Sequence, residues 1–298
     1  MSAARHAARE TAVRLDFRAL VDALKQAAVD VDAGRIACPD RSVVPMSDGA
    51  VLMSMPAVAS DVAIHKLITV APNNREQGRP TIQGTVTVFD PRTGRALMEL
   101  DGPTVTGRRT AAVSMLAVEL LHPDAREGFL LIGTGTQARH HLEAIATLHP
   151  GACVRVRGRS VESAQRFCDE GVGWPLDLAP AGLDQACSIV VTCTTSRVPV
   201  YVDAASCDRL LIAVGVFQPD AAEIGAATVL SSEVYVDDPR GAPHEAGDLL
   251  QAGVDWDSVK SLADLIRTPA PSARRPLLFK SVGCAAWDLA AARVALGA

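Results

Sequence analysis

A glycine-rich turn between a strand and a helix constrains the fold of this chain more than any other feature. An apolar run at residues 129–132 predicts a strand, and residues 137–148 have the apolar spacing of a helix. Between them lies the pattern G-x-G-x-x-A, which comprises Gly133, Thr134, Gly135, Thr136, Gln137 and Ala138. Gly133 permits a sharp exit from the strand, Gly135 lets the backbone approach a pyrophosphate, and the small Ala138 lets the helix pack closely on a sheet. The pattern predicts a dinucleotide at the helix N-terminus, and the alternative is an ordinary strand-to-helix turn.

The composition is that of a globular enzyme. The 298 residues exceed one average domain, so we expect about two domains. Hydrophobic residues make up 48%, charged residues 21%, and the net charge of −5 offers no basic surface for nucleic acid. No apolar run reaches the roughly 18 residues of a membrane span, and the N-terminal residues lack the apolar core of a signal peptide. We therefore expect a cytoplasmic protein with no nucleic-acid partner and no membrane partner.

Neither the cysteines nor the segment HEAGD predicts a metal site. The seven cysteines are odd in number and never in C-x-x-C spacing, so we expect reduced thiols that fill the core. The segment HEAGD, residues 244–248, lacks the second histidine of H-E-x-x-H. We interpret that segment as a polar helix start.

The N-terminal third of the chain has the pattern of a helix followed by a small antiparallel sheet. Helical spacing predicts a helix over residues 14–33. Alternating or β-rich runs predict a meander of four strands, at residues 51–55, 62–70, 81–89 and 95–100. A second helix is predicted to begin near Thr106, which can cap it, and to run to residue 121.

From residue 129 onward, strands alternate with helices, which predicts a parallel, doubly wound sheet. The predicted strands lie at residues 129–132, 153–157, 188–192, 210–216, 234–236 and 277–280, and the helices at 137–148, 161–170 and 285–296. The last helix has the length and spacing to pack back onto the meander. We therefore predict an α/β chain in which a Rossmann-type doubly wound sheet, residues 107–283, is inserted into an α+β substrate-binding and dimerisation domain, residues 1–106 completed by 284–298.

Arginines stand where an NAD-binding fold carries an acid. About 20 residues after the glycines, such a fold places Asp or Glu on the ribose 2′-hydroxyl, whereas Arg suits the 2′-phosphate of NADP. Here Arg157 and Arg159 occupy that place and Ser160 follows them. The pattern favours NADPH over NADH, and the alternative is that the two arginines only cover a strand edge.

Cations outside the predicted nucleotide domain indicate an anionic substrate. Lys66 lies inside the apolar run AIHKLITVA, and Arg108 and Arg109 lie in the first turn of a predicted helix. Arginines there oppose the helix dipole, a cost that a bound anion relieves. Together with Arg41, these side chains are suited to fixing a small carboxylate. The alternative for Lys66 is a charged residue that protects an edge strand.

Several motifs together resemble the ornithine cyclodeaminase/mu-crystallin family. They cover the chain from about residue 41 to the C-terminus: QGTV (83–86), RTAAVS (109–114), GTGTQA (133–138), TTS (194–196), HEAGD (244–248) and FKSVGCAAWDLAAA (279–292). The resemblance implies a homodimer with an N-terminal substrate and dimerisation domain and an inserted Rossmann domain. It also implies that Arg41, Lys66 and Arg109 bind the substrate carboxylate, with Lys66 and Arg109 as the candidate catalytic residues.

The resemblance further separates reductases from lyases. Family members that cyclise ornithine carry an aspartate after the strand near Gly215, where this sequence has Phe217. We therefore predict a reductase of small cyclic imino acids, with NADPH preferred and NADH as the second cofactor, which makes L-proline and L-pipecolate. Residues expected to line the nicotinamide and ribose are Thr194, Thr195, Ser196, Val214, Ser281, Val282 and Gly283. Alternatives are a cyclodeaminase with bound NAD and a non-catalytic binding protein, and the imine proton comes either from solvent or from Lys66.

Overall fold

The chain divides into two compact units. The computed structural model describes residues 3–122, 128–182, 187–268 and 275–297. Unit 1 comprises Met1–Arg109 and Cys284–Ala298, and unit 2 comprises Thr110–Gly283. The functional roles predicted for the two parts of the chain, substrate binding with dimerisation and nucleotide binding, stay predictions.

Unit 1 contains a six-stranded sheet with helices at its N-terminal end. Its elements in chain order are β1 (Ala4–His6), α1 (Ala8–Arg14), α2 (Phe17–Asp32), β2 (Ser42–Pro45), β3 (Val51–Val58), β4 (Ala63–Val70), β5 (Ile82–Phe89) and β6 (Ala96–Asp101). The strand order is β1-β6-β5-β4-β3-β2, with antiparallel pairing from β2 to β6. The predicted antiparallel meander is confirmed. The sequence did not indicate β1, which pairs in parallel with β6, or β2, which adds a fifth antiparallel strand beside β3.

Strand alternation gives this sheet one buried face and one face that is partly open. One register row on the buried face contains Met55, Lys66, Val86 and Leu100. On the opposite face, Val58 is 46% exposed and Leu67 is 40% exposed, and a directly paired row contains Ser54, Leu67 and Thr85. We call the surface formed by Ser54, Val58, Leu67 and Thr85 the open sheet face.

Helix α3 (Gly102–Leu121) begins four residues before the predicted Thr106 start. Asp101 Oδ1 accepts the Thr104 N–H at 2.9 Å, so the cap comes from Asp101. Thr106 instead donates its hydroxyl to Gly102 O at 2.7 Å, inside the helix. The Thr106 prediction was wrong because Gly102 and Pro103 look like helix breakers, although proline is well tolerated in a first turn.

Unit 2 contains an eight-stranded parallel sheet. Its elements in chain order are β7 (Phe129–Ile132), α4 (Thr136–Leu148), β8 (Cys153–Arg157), α5 (Val161–Asp169), β9 (Asp177–Pro180), β10 (Ile189–Thr192), β11 (Leu210–Ala213), α6 (Ala226–Leu230), β12 (Glu233–Val236), α7 (Ala242–Glu245), α8 (Gly247–Ala252), β13 (Lys260–Ser261), α9 (Leu262–Arg267) and β14 (Leu277–Lys280). The order is β13-β12-β14-β11-β10-β7-β8-β9, and every pairing is parallel. The predicted Rossmann-type α/β sheet is confirmed.

The order of this sheet defines a switch point between two neighbouring strands. From β7 the chain proceeds to β8 and β9 on one side, and then returns to place β10 on the other side of β7. In open α/β sheets, ligands bind outside the carboxyl ends of the strands at such a point. All residues of β7, β10 and β11 are buried, as expected for central parallel strands.

Strand β11 ends at Ala213, three residues before the predicted end at residue 216. The Gly215 N–H donates to the carboxylate of Glu223 at 2.7 Å, and the carbonyl of Val216 accepts from Lys280 Nζ at 2.6 Å. These backbone groups bond to side chains, so regular pairing stops before residue 216.

Helix α10 (Ala285–Gly297) returns the chain to unit 1, where it packs against α2, β3 and β4. Most residues of α10 are small and apolar, and the helix is buried on nearly all sides. Across the described ranges, no helix is long and apolar enough to cross a membrane. The cysteines are free thiols, but Cys207 is exposed and Cys153 is only half-buried, so the prediction that all of them fill the core was wrong for these two.

Candidate active site

Lys66 lies in the middle of the unit 1 sheet. On β4 it shares the buried face with Ile64 and Ile68, and its side chain is 1% exposed. Because β4 pairs with β3 on one side and β5 on the other, the edge-strand explanation for Lys66 is wrong. A lysine is placed at this buried position by the same alternation that buries the isoleucines.

Three elements bring Lys66 and Arg109 together around one carboxylate. Lys66 Nζ donates to both oxygens of Asp288 at 3.1 Å, and Arg109 Nε donates to Asp288 Oδ1 at 3.2 Å. Asp288, on α10, is fully buried, and Arg109, on α3, is 5% exposed. We call Arg41, Lys66, Arg109 and Asp288 the cation cluster, because the charge of Arg41 also acts on Lys66.

The cation cluster contains more positive than negative charge. Burial lowers the pKa of Lys66 to about 8, Asp288 opposes that shift, and the charges of Arg109 and Arg41 add to it. With Lys66 protonated, two cations, Lys66 and Arg109, bind one carboxylate. An anionic ligand would offset the excess, which is the chemistry expected of a carboxylate site.

Asp288 is the member of this cluster that the sequence analysis missed. It lies in the segment AWDLAAA, an acid among residues that are otherwise apolar. The same reasoning that singled out Lys66 in an apolar strand applies to an acid in an apolar helix. That signal could have indicated Asp288, although not its partner.

At the switch point of the unit 2 sheet, Gly133 is required by the backbone. Its φ is +126°, and a Cβ added there would lie 2.5 Å from the carbonyl oxygen of Cys193, the residue after β10. Gly135 differs, because a Cβ built there meets no atom within 4 Å. The glycine at position 133 therefore serves the fold, and the glycine at position 135 faces open space.

The N-terminus of α4 fits a dinucleotide pyrophosphate. The first helical bond in this turn runs from the Arg139 N–H to the Gly135 carbonyl at 3.1 Å. The amides of Thr136, Gln137 and Ala138 precede that bond, so the helix offers them no acceptor. Ala138 is buried against the sheet, while Gly135 and Thr136 are exposed. Backbone donors beside an open glycine are the features that a phosphate group needs.

Arg157 is the last residue of β8, Arg159 lies between β8 and α5, and both are exposed. In the part of the chain that the structure describes, neither forms an ion pair, whereas the neighbouring Arg155 pairs with Asp177 at 2.8 Å. Ser160 caps α5, since its hydroxyl oxygen accepts the Ser163 N–H at 3.2 Å. The two exposed guanidiniums are therefore accessible to an anionic ligand.

Buried carboxylates organise the ends of β10 and β11. Glu223 accepts the Thr194 N–H at 2.6 Å, the Thr194 hydroxyl at 2.8 Å and the Gly215 N–H at 2.7 Å. Burial raises the pKa of Glu223, and the charge of Lys280 opposes that rise. A Cβ at position 215 would lie 2.1 Å from the Thr194 carbonyl oxygen, so only glycine fits there.

A buried carboxylate also binds the segment after β14, residues 281–283. The carboxylate of Asp237 accepts the Ser281 hydroxyl at 2.8 Å and the Val282 and Gly283 N–H groups at 2.9 Å each. These donors, and those of Thr194, are used within the protein. The predicted cofactor contacts of these residues stay predictions and would need other atoms, such as carbonyl oxygens or apolar surfaces.

The HEAGD segment contributes to this network through Asp248. Its Oδ1 accepts the Glu223 N–H at 2.5 Å and the Ile224 N–H at 2.9 Å, and its Oδ2 lies 2.7 Å from Lys280 Nζ. Among the described residues, no group of three or more His, Cys, Asp or Glu side chains is placed to hold a metal ion. The sequence analysis missed the roles of Glu223, Asp248 and Lys280.

The remaining predicted residues lie on loops at the strand ends. Val214 is buried and its N–H donates to the Thr192 carbonyl at 3.0 Å. Thr195 is exposed, and the Ser196 hydroxyl donates to the Val198 carbonyl at 2.6 Å. Phe217 is 36% exposed.

The acid nearest to Phe217 in the sequence is Asp220. Asp220 forms an ion pair with Arg197, and both side chains are more than half exposed. Its carboxylate is therefore paired with a guanidinium at the surface of unit 2. In the lyases of the family an aspartate near this position handles the substrate amine, whereas Asp220 binds Arg197.

Comparison with known proteins identifies the family. The sequence model of the Ornithine cyclodeaminase/mu-crystallin family matches residues 3–296. The chain belongs to the ornithine cyclodeaminase/mu-crystallin family. A relative from Azospirillum brasilense, named Δ1-pyrroline-2-carboxylate/Δ1-piperideine-2-carboxylate reductase, is 52% identical over 291 residues, which cover 97% of this chain and 93% of the relative.

Two solved structures have a similar fold. A Thermococcus litoralis Δ1-pyrroline-2-carboxylate reductase in complex with NADH and L-proline has a TM-score of 0.87 and 23% identity, covering 100% of this chain and 97% of that one. An archaeal alanine dehydrogenase dimer with bound NAD has a TM-score of 0.88 and 23% identity, covering 100% and 96%. At these identities the likeness supports the fold.

Proposed function

We propose that this chain reduces cyclic ketimine carboxylates with NAD(P)H, converting Δ1-pyrroline-2-carboxylate to L-proline and Δ1-piperideine-2-carboxylate to L-pipecolate. The observation that carries the proposal is the cation cluster, in which the buried Lys66 and Arg109 both bind the carboxylate of Asp288. The 52% identity to a reductase of that name supports the choice of substrate class.

The residues of unit 1 bind the substrate carboxylate. Arg109 presents a planar guanidinium, and Lys66 and Arg41 add positive charge, so a small acid is fixed by charge-assisted hydrogen bonds. Lys66 holds a proton in neutral solution, because its pKa of about 8 lies above 7. That proton is available to an imine nitrogen, which makes the adjacent carbon more electrophilic. Solvent remains the alternative proton source.

The residues of unit 2 bind the cofactor. The amides of Thr136, Gln137 and Ala138 would hold the pyrophosphate beside the open Gly135. When bound, the nicotinamide supplies the hydride. Arg157 and Arg159 would bind a 2′-phosphate, which makes NADPH the preferred cofactor and NADH the second.

Replacing both Arg157 and Arg159 by alanine is expected to remove the preference for NADPH. A 2′-phosphate adds negative charge that two guanidiniums bind, but the site is exposed and screened, so we expect about 1–2 kcal/mol, roughly 5- to 30-fold in Kd. Titration of cofactor fluorescence at low and high salt measures the affinity of both cofactors without turnover. The variant should bind NADPH less tightly and NADH as before.

Arg166→Ala is the matched control for this double variant. Arg166 is an exposed arginine on α5, the helix that follows the two arginines. Its loss should leave the ratio of the two affinities unchanged. Equal wild-type affinities for NADPH and NADH at low salt would contradict the proposed preference.

Two other activities are separated from the reductase by one set of assays. A cyclodeaminase would release ammonia from ornithine without net oxidation of added NADPH, and a non-catalytic member would bind the nucleotide only. The presence of Phe217 and the pairing of Asp220 with Arg197 disfavour the cyclodeaminase. We expect loss of NADPH absorbance when the imine, formed from the matching amino-2-oxo acid, is added, and no ammonia from ornithine. Ammonia release without NADPH oxidation would contradict the proposed function.

We further propose that the chain forms a homodimer through the open sheet face. Val58 is 46% exposed and Leu67 is 40% exposed on that face, and an exposed, partly apolar sheet face is suited to a second copy. The alanine dehydrogenase of similar fold is a dimer. Light scattering should give twice the chain mass of 31.2 kDa, and Leu67→Glu should return it to 31.2 kDa. Val13→Glu, at a 78% exposed site on α1, is the control and should stay dimeric.

A cytoplasmic location remains a prediction from the sequence. Its cysteine usage supports it, since seven cysteines of irregular spacing suit a reducing compartment. Cell fractionation with an antibody to the chain tests it, and recovery of the protein from the medium would contradict it.

A further inference from the structure

We propose that Asp288 is a positioning residue for imine reduction, because its carboxylate fixes the Lys66 ammonium and the Arg109 guanidinium side by side in the orientation that receives the substrate carboxylate. This inference rests on the proposed function of the cation cluster. It assigns to α10 a residue that acts on the substrate through two others.

The geometry of the three groups supports this role. Asp288 accepts from Lys66 at both oxygens and from the Nε of Arg109 at Oδ1. A guanidinium has five N–H donors in a fixed fork, so a contact through Nε sets the direction of its terminal nitrogens. Lys66 is a flexible point charge, and the same carboxylate limits its position. Asp288 therefore determines where both cations direct their other donors.

The carboxylate of Asp288 favours the protonated form of Lys66. The largest charge effects on Lys66 come from Asp288 on α10, Arg109 on α3 and Arg41 in the segment before β2. Asp288 is the anion in that set, and the two arginines both disfavour a charged lysine. Without Asp288, burial and the arginines would act on Lys66 together.

Asp288→Asn tests the proposal, because it keeps the side-chain size and removes the charge. We expect kcat/KM for the imine to fall about 10- to 30-fold, which corresponds to roughly 1.4–2 kcal/mol, the lower part of the range for a charged hydrogen bond. The wild-type rate should fall as pH rises through about 8, where Lys66 loses its proton. In the variant this alkaline decline should begin at lower pH, and NADPH affinity should not change.

A spectroscopic titration measures the same proton without turnover. The sequence has four lysines, Lys25, Lys66, Lys260 and Lys280, so ¹³Cε-lysine NMR gives few signals. The Lys66 signal should titrate near pH 8 in the wild type and at lower pH in Asp288→Asn. The alkaline decline of kcat/KM should move with it. A purely structural carboxylate would lower stability and leave the pH profile of the reaction unchanged.

Asp30→Asn is the matched control, since Asp30 is another acid of unit 1 that binds a residue of α10, Arg293, at 3.0 Å. It should affect stability without moving the alkaline decline. If Asp288→Asn does not fold, Asp288→Glu keeps the charge and displaces it, so KM should rise while the decline stays near pH 8. A folded Asp288 variant with wild-type KM and pH profile overturns the proposal.

Failure of the proposed function would be seen separately, in the wild type. If the wild type does not oxidise NADPH with the imine, the role of Asp288 is judged by NMR and by calorimetric binding of L-proline. Weaker binding together with a displaced Lys66 titration in Asp288→Asn supports the positioning role. Unchanged binding and an unchanged titration overturn it.

Discussion

Replacing Gly135 by alanine is expected to weaken NADPH binding roughly 100-fold or more while leaving the fold intact. A Cβ at this position meets no protein atom within 4 Å, so it costs nothing in packing. The same methyl group would occupy the space through which a pyrophosphate reaches the amides of α4. Displacing the phosphate by even a fraction of an ångström weakens two or more charge-assisted bonds of ~1.5–3 kcal/mol each. Fluorescence titration measures the Kd, and thermal unfolding measures the stability.

Two other glycines of unit 2 serve as controls for Gly135→Ala. Gly182→Ala also meets no atom within 4 Å and should bind NADPH like the wild type. Gly133→Ala should instead destabilise unit 2, because its Cβ would lie 2.5 Å from the Cys193 carbonyl oxygen at a φ of +126°. Wild-type NADPH affinity in Gly135→Ala would show that the pyrophosphate does not bind at this turn.

Replacing Arg109 by alanine is expected to lower kcat/KM for the imine roughly 150-fold or more. A bidentate pairing with the substrate carboxylate contains two charge-assisted bonds, and the loss of both exceeds about 3 kcal/mol. The binding of NADPH should be unaffected. Steady-state kinetics with the imine and fluorescence titration of the cofactor measure the two effects.

Arg108→Ala is the neighbouring control for this variant. Arg108 donates through Nε to the Leu15 carbonyl at 2.9 Å and lies 3.9 Å from the ring centroid of Phe17, so it joins α3 to the N-terminal helices. Its loss should lower the melting temperature and leave KM for the imine nearly unchanged. A folded Arg109→Ala protein that retains wild-type kcat/KM would remove Arg109 from the carboxylate site.

The main strands of both sheets could be predicted because each is indicated by a pattern within its own residues. Alternation identified β3 to β6, and continuous apolar runs identified β7, β10 and β14. The elements that were missed, such as β9, β13, α6 and α9, are too short to show a period. The start of α3 was misplaced because Asp101 caps it ahead of a glycine and a proline.

The candidate site could be predicted only on its cationic side. Lys66 was conspicuous because it interrupts an apolar strand, but its partner Asp288 lies 222 residues away. A sequence shows that both residues are unusual, and it does not show that they meet. The same limit applies to Glu223, Asp237 and Asp248, since their hydrogen bonds connect segments that come together only when the parallel sheet forms.

Unit 1 consists of two segments of the chain, which are synthesised before and after unit 2. A ribosome makes residues 1–109, then all of unit 2, and only afterwards α10. A nascent chain can therefore complete unit 2 while the helix that packs against α2, β3 and β4 is still missing. During that interval Lys66 and Arg109 lack the Asp288 carboxylate that they bind in the folded protein. Their carboxylate partner is the last member of the cluster to be translated.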